Sequence, residues 1–599
     1  MGWFFFLSFS ALFLFMCGIT GVFGTNASEK VFHGLKALEY RGYDSWGIAF
    51  PQKDSFFVKK EIGKIGSAKF SLSTSSTLAI GHTRWATHGN VSKKNAHPQF
   101  SNDKKIALVH NGIVENFEEL KNKLISKGFS FFSDTDSEII ANLIQFNFKK
   151  RGSFEEAVRI SLKEIEGGYA IVVLHLNENK LFCARNGSPL VLGFGENEFF
   201  VASDVSAFVS YTKKVLFLND SELAVIDGEV KVFSVDSGKE KKFSLKKINW
   251  DIEQAKKGEF KHFMTKEIFE QPETLKLAIK QPEKDVSKFV KLIKSSKKVF
   301  LVGCGTSYHS CLSAAYFFSS ISNVMVECCI ASEFSRVEKF VDKNSLIIAV
   351  SQSGETADLL EAIKIAKKNN AKVLSIVNVM GSSVMRISDC SLLMNAGPEI
   401  CVLSTKSYTS QIAVFLLLAY AVIGKQKEAK KIILKTASSV NSLLKTSGKK
   451  MKVLAKKLAK KNDIFVIGRH DAFPVALEAA LKIKEVSYIH AEGFAGGELK
   501  HGTIALIDKG TPAIVISTPE TRKLIVSNAI EMQSRGAFTI GFSSVENSNF
   551  DYNLVVPDVG FADAITRIVP IQLLAYYIAI EKNLDPDKPR NLAKSVTVN

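Results

Sequence analysis

The sequence predicts a multidomain chain of mixed α+β and α/β architecture: a mainly β domain with helical cover, then two copies of a doubly wound unit on parallel sheets. Length is the first reason, because 599 residues at about 150 per domain make roughly three to four domains. The second is a change of rhythm. From Cys17 to about residue 235, short β-rich runs such as Leu78-Ala79-Ile80 and Ile106-Ala107-Leu108-Val109 alternate with turns. Beyond residue 290 apolar strand, polar turn and helix follow one another, the order that builds a parallel sheet. The third is repetition. VFLVG at Val299 is echoed by IFVIG at Ile464, and LIIAVSQSGET at Leu346 by AIVISTPET at Ala513, both pairs about 165 residues apart.

These signals divide the chain in order. Residues 1–16 are an apolar extension and 17–235 the β-rich domain. Residues 236–290 read as a Lys-rich linker and a helix, 291–424 as the first α/β copy, 425–460 as a helical connector, 461–588 as the second copy and 589–599 as a tail. The extension, MGWFFFLSFSALFLFM, has no Lys or Arg before its apolar run and no small-residue cleavage site, and it is shorter than the ~20 residues of a membrane-crossing helix. It is expected to be absent from the active protein, and no membrane partner is expected.

Composition narrows the function classes. A chain 46% hydrophobic and 23% charged is an ordinary globular one. The net charge of +18 raises nucleic acid as a partner, but the lysines are scattered over helical faces such as residues 364–368 and 449–461, with no aromatic-interleaved basic strip. No nucleic-acid partner is expected; positive potential suits anionic substrates. Eight cysteines without regular spacing or a Cys-x-x-Cys pair point to reduced thiols in the cytoplasm and to no metal. Cys328 and Cys329 read as buried small hydrophobes.

Met16-Cys17-Gly18-Ile19 alone reads as a buried structural cysteine. The residues downstream change that reading: Glu39 to Ser45 (EYRGYDS), His82-Thr83-Arg84-Trp85-Ala86-Thr87-His88-Gly89, His110-Asn111-Gly112 and Asp134-Thr135-Asp136. Together they supply what a thiol needs to hydrolyse glutamine. Arg84 can hold an α-carboxylate and Asp136 an α-ammonium. Asn111 and the Gly112 N–H can stabilise the oxyanion formed by thiolate attack. The base can be the α-amino group of Cys17 itself, with a reference pKa of about 7.7 to 8.0, once the preceding residues are gone. The pattern resembles the class II glutamine amidotransferase domain of the N-terminal-nucleophile hydrolases. That resemblance implies a four-layer αββα sandwich, Cys17 as nucleophile, Asn111 and Gly112 as the oxyanion hole, and Arg84, Thr87, His88, Gly112 and Asp136 as glutamine contacts. It also implies that Trp85 helps close an ammonia path. His82 and His97 read as structural or surface residues.

In the first α/β copy Gly303-Cys304-Gly305-Thr306-Ser307 lies between a strand and a helix from about Tyr308, where backbone N–H groups face an anion. Ser351-Gln352-Ser353-Gly354-Glu355-Thr356 repeats the arrangement after the next strand. Two such hydroxyl-rich turns suit a phosphate, and no lysine follows in nucleotide-binding spacing, so a sugar phosphate fits better than ATP. The second copy has Ser517-Thr518-Pro519-Glu520-Thr521 there, with proline where an N–H is wanted, and its phosphate site is expected to be missing. It carries instead Lys482-Ile483-Lys484-Glu485 and Glu498-Leu499-Lys500-His501-Gly502. On sequence alone Lys482 and Glu485 read as a solvated helix face.

From Cys17 to Asn599 the pattern resembles the glutamine:fructose-6-phosphate aminotransferase (isomerising) family, with its tandem sugar isomerase domains. The most diagnostic part is the tail Pro589-Arg590-Asn591-Leu592-Ala593-Lys594-Ser595-Val596-Thr597-Val598, which otherwise reads as a disordered end. The resemblance implies that glutamine and fructose 6-phosphate give glucosamine 6-phosphate. Thr306, Ser307, Ser351, Gln352, Ser353 and Thr356 would bind phosphate and sugar, with Val402, Ser404 and Ala593 nearby. His501, from a partner subunit of a homodimer, would promote ring opening, and Lys594 would form an imine with the open ketose. Glu485, assisted by Lys482, would move the proton between C1 and C2. No metal and no organic cofactor are required.

Overall fold

The computed structural model describes residues 17–66, 68, 76–85, 89–248 and 257–595. The described residues divide into two compact units, those up to 248 with Ser595, and residues 257–594. The first unit holds an eight-stranded and a seven-stranded sheet. In the first of these, Gly18–Phe23 is flanked antiparallel by Phe199–Ala202 and Leu78–Arg84. In the second, Ile106–Gly112, Tyr169–His175 and Leu181–Asn186 run antiparallel in succession. Side chains alternate faces along a strand, and here both faces are buried. Ala107, Val109 and Val172 point at the other sheet, against Ile19 and Ile80. Ile106, Leu108 and Ile171 point the other way, against Ile139, Ile140 and Leu143 of helix Asp136–Arg151 and Leu162 of helix Phe154–Glu164. Helix Ala27–Ala37 covers the outer face of the eight-stranded sheet so closely that a Cβ on Gly81 would lie 2.7 Å from Val31. The layers are αββα, as expected.

The second unit contains two five-stranded sheets, parallel throughout. In the first sheet the spatial order is Glu327–Ile330, Lys298–Gly303, Ser345–Ser351, Lys372–Val377, Cys390–Leu393. In the second it is His490–Ala495, Asp463–Gly468, Pro512–Ile516, Phe538–Ser543, Tyr552–Val555. Both follow the doubly wound order 2-1-3-4-5, and each echoed sequence run takes the same place in its sheet. Helices Lys406–Val422 and Asp563–Glu581 are apolar nearly all round, the mark of a core helix. The span Gly560–Glu581 is long and apolar enough to cross a membrane, yet 89% of that window is buried within the unit. Gln426–Leu458 is one helix of 33 residues.

Two local expectations change. The first-copy helix begins at Thr306 rather than Tyr308, because Gly305 takes φ 49° and turns the chain early, so Thr306 and Ser307 open the helix. The tail through Ser595 is not a loose end. Asp587 accepts hydrogen bonds from the first N–H groups of helix Phe263–Ala278, Phe263 N at 2.9 Å and Met264 N at 2.8 Å. Arg590 stacks over Tyr488 and donates its N–H to that hydroxyl at 2.7 Å.

Candidate active sites

In the first unit Cys17 stands at the start of strand Gly18–Phe23 and Trp85 just past the end of Leu78–Arg84. The backbone N–H of Trp85 donates to Cys17 Sγ at 3.2 Å. Burial pushes the Cys17 thiol up to about 11, the Trp85 N–H and the Arg84 charge opposing it. Such a thiol needs a base to become a nucleophile. Asn111 Nδ2 donates to the Cys17 carbonyl at 2.7 Å, placing the amide against the cysteine. The amide is aimed by His82, whose Nε2 faces two acceptors, Asn111 Oδ1 at 3.1 Å and the His110 carbonyl at 3.0 Å. That nitrogen therefore carries the proton. Burial drops the His82 pKa to about 3 and takes that of His97, its ring centroid 4.2 Å away, well below the usual value. Both histidines are buried and neutral, so the surface half of the expectation does not hold.

Gly112 takes φ 136°, and a Cβ there would lie 1.9 Å from the Gly168 carbonyl, so this position accepts glycine alone. Arg84 is buried, donating to the carbonyls of Gly89 (3.1 Å) and Asn90 (3.4 Å). Burial lowers its pKa, while Cys17, Asp44 and Asp136 raise it, so its charge faces the thiol and both acids. Asp136, first in its helix, accepts from Val114 N at 3.0 Å and Ser137 Oγ at 3.3 Å. Trp85 packs edge-on to Tyr43 at 4.8 Å. Thr87 and His88 lie outside the described residues.

In the second unit the turn after Ser345–Ser351 is tied together by its hydroxyls. Ser351 Oγ accepts from Gly354 N at 2.9 Å and meets Thr356 Oγ1 at 3.1 Å and Ser353 Oγ at 3.5 Å. Gln352 contributes its carbonyl to Asn378 N at 3.2 Å. Gly354 sits at φ 66°, where a Cβ would fall 2.1 Å from Ser382 Oγ. Ser307 accepts from Gln411 Nε2 at 3.0 Å. Thr306 Oγ1 accepts from Lys482 Nζ at 3.0 Å and donates to Glu478 at 3.1 Å. Lys482 also pairs with Glu485 at 2.8 Å and Glu478 at 3.3 Å. It is 0% exposed, which overturns the reading of a solvated face: three partners on one side replace its water. Burial works to lower its pKa, but Glu478 and Glu485 raise it above the ordinary lysine range.

Lys594 Nζ pairs with Glu399 at 2.5 Å and reaches the Leu403 carbonyl at 3.4 Å, which sets it and its neighbour Ala593 beside the Val402–Ser404 backbone. Val402 N donates in turn to the Asp587 carbonyl at 3.1 Å. His501, at the end of the turn Gly496–His501, is exposed and hydrogen-bonds to none of these groups among the described residues.

Sequence reading missed Glu478, His309 and Glu399. Glu478 was findable, since it lies four residues before Lys482 and seven before Glu485, on one helix face. His309 meets it at 2.8 Å. Glu399, 195 residues from Lys594, leaves no local signal.

Comparison with known proteins gives these sites a context. The model of a glutamine amidotransferase domain matches residues 82–210, and that of the SIS domain matches 292–421 and 457–582. The fold of the second unit also recurs in tagatose-6-phosphate ketose/aldose isomerase from Escherichia coli, with a TM-score of 0.50 and 17% identity over 55% of this chain and 95% of that one. Two proteins named glutamine–fructose-6-phosphate aminotransferase [isomerizing], from Pyrococcus horikoshii and Thermococcus kodakarensis, are each 44% identical to this sequence over 97% of it and 100% of their own length. With such relatives along nearly its whole length, the chain belongs to the glutamine–fructose-6-phosphate aminotransferase (isomerizing) family.

Proposed function

We propose that this chain is the enzyme that converts glutamine and fructose 6-phosphate to glutamate and glucosamine 6-phosphate. The observation that carries the reading is a lysine, Lys594, half-buried and paired with the buried Glu399 in the same unit as the hydroxyl-bound turn 351–356. The first unit sets an asparagine amide against Cys17. Cys17 Sγ attacks the glutamine carboxamide while Asn111 and the Gly112 N–H hold the oxyanion. Arg84 and Asp136, with Thr87 and His88, hold the amino-acid end, and Trp85 retains the ammonia. A thiol raised this far is activated by the α-amino group of Cys17, freed by loss of residues 1–16. At the other site Thr306, Ser307, Ser351, Gln352, Ser353 and Thr356 take the phosphate and sugar hydroxyls, with Val402, Ser404 and Ala593 beside them. Lys594 forms the imine with the open ketose with loss of water, ammonia displaces the lysine amine to leave its own nitrogen on C2, and Glu485 with Lys482 then moves the C1 proton to C2. His501, exposed within its own chain, acts from the partner in a homodimer. The enzyme works in the cytoplasm, with no nucleic-acid or membrane partner and no metal or organic cofactor.

The test is a pair of variants. Cys17→Ala should abolish glutamine-dependent glucosamine 6-phosphate while sparing sugar isomerisation; Lys594→Arg should do the converse and lose borohydride trapping with fructose 6-phosphate. Loss of both activities in either folded variant refutes the division of labour. Terminal sequencing of native protein should begin Cys-Gly-Ile-Thr-Gly.

A further inference from the structure

Helix Phe263–Ala278 touches the sugar site through its first two turns, and the chemistry above makes no use of them. Glu267 is buried in the second turn, where its Oε1 accepts from Ile400 N at 2.5 Å and Cys401 N at 3.1 Å. Its Oε2 is buried and has no hydrogen-bond partner among the described residues. One turn on, Glu270 receives Lys406 at 2.7 Å and Lys266 at 3.1 Å. The backbone that Glu267 holds is the start of the loop running from Glu399 to Lys406, and Glu399 is the partner of Lys594. That carboxylate is itself held by Thr405 N (2.9 Å), Ser407 N (3.0 Å) and Ser407 Oγ (2.8 Å). The charges facing Glu267 are Glu399, Lys406 and Lys594, with the buried Cys401 thiol alongside.

We propose that Glu267 is a positioning residue for Lys594: it fixes the loop that carries Glu399, and its own ionisation sets how firmly the lysine holds its proton. The proposal rests on the function given above. A lysine must lose its proton to attack a ketone, and each carboxylate beside it makes that harder. Burial, and then repulsion from Glu399, raises the Glu267 carboxyl above its ordinary range. At neutral pH Lys594 therefore faces one negative charge, from Glu399. As pH rises and Glu267 ionises, a second charge retains the ammonium form.

Borohydride trapping of fructose 6-phosphate on the full-length protein, measured across pH, tests this. Glu267→Gln keeps an acceptor oxygen for both N–H groups and removes the ionisation. Its trapping midpoint should move to lower pH by about one unit, with the plateau within twofold of wild type. Glu267→Ala removes the acceptor as well, and trapping should fall at least tenfold at every pH. Glutamine hydrolysis measured alone should be unchanged in both, and the thermal unfolding midpoint serves as the folding control. A Gln variant with the wild-type midpoint overturns the proposal, and if the Ala variant does not fold, the Gln variant alone decides. Wild-type protein that traps no sugar at Lys594 instead overturns the function reading, and this proposal with it.

Discussion

The two five-stranded sheets share a strand order and differ in what their third strands deliver. After Ser345–Ser351 the chain makes a turn in which Gly354 adopts a left-handed conformation and three hydroxyls converge. After Pro512–Ile516 the corresponding turn has Pro519 in place of a residue with an N–H, and only Thr518 and Thr521 bond each other, at 2.8 Å, while the buried Ser517 hydroxyl has no partner among the described residues. The second copy serves the first instead. Its helix Ala472–Ser487 carries Glu478 and Lys482, which bond Thr306 of the first copy. Duplication of a fold lets one copy keep the hydroxyl-rich turn while the other supplies charged groups to Thr306, at the head of a first-copy helix.

The largest expected effect that would break this comparison comes from the charged helix. Lys482→Met should leave Glu478 buried without its cation and cost about 3–5 kcal/mol, read as a fall in thermal midpoint with glutamine hydrolysis intact. A midpoint within a degree of wild type would mean the helix does not depend on the pair. Next is Gly354→Ala, whose Cβ meets Ser382 at a positive φ. It should cost on the order of 1–3 kcal/mol of strain and raise the KM for fructose 6-phosphate at least tenfold; an unchanged KM would take the turn out of the site. Ser351→Ala removes the acceptor of Gly354 N and should weaken sugar-phosphate binding by roughly 1–2 kcal/mol, seen in an isothermal titration. The smallest effect sharpens the contrast. Thr518→Val, in the matching turn of the second copy, should leave sugar-phosphate affinity within about twofold and cost no more than ~1 kcal/mol of stability. A tenfold loss of affinity there would show that both copies bind.

The parallel sheets were legible because a strand buried on both faces is a continuous apolar run, and VFLVG and IFVIG keep that form in both copies. The turn 351–356 was legible for a different reason: its chemistry lies in six consecutive residues. What sequence concealed depends on distance along the chain. The burial of Lys482 rests partly on Thr306, 176 residues away, and without that partner a charged helix position defaults to solvent. The pairing of Lys594 with Glu399 and the neutral state of His82 follow from packing rather than local pattern, and neither residue type announces its partner. The order of the tail was hidden for the same reason: Arg590 is held by Tyr488, 102 residues away, and Asp587 just before the tail by a helix that begins at Phe263.

That tether has a consequence for biosynthesis. Translation proceeds from the amino end, and domains fold in that order at about 5–20 residues per second. Lys594 is therefore added only after Glu399, Glu267 and both sheets have been made. For roughly half a minute to two minutes a nascent chain already carries Cys17 but not yet Lys594. On the function proposed above, an abortive product that stops short of Lys594 would keep the αββα layers and Cys17 yet lack the lysine proposed to take the sugar.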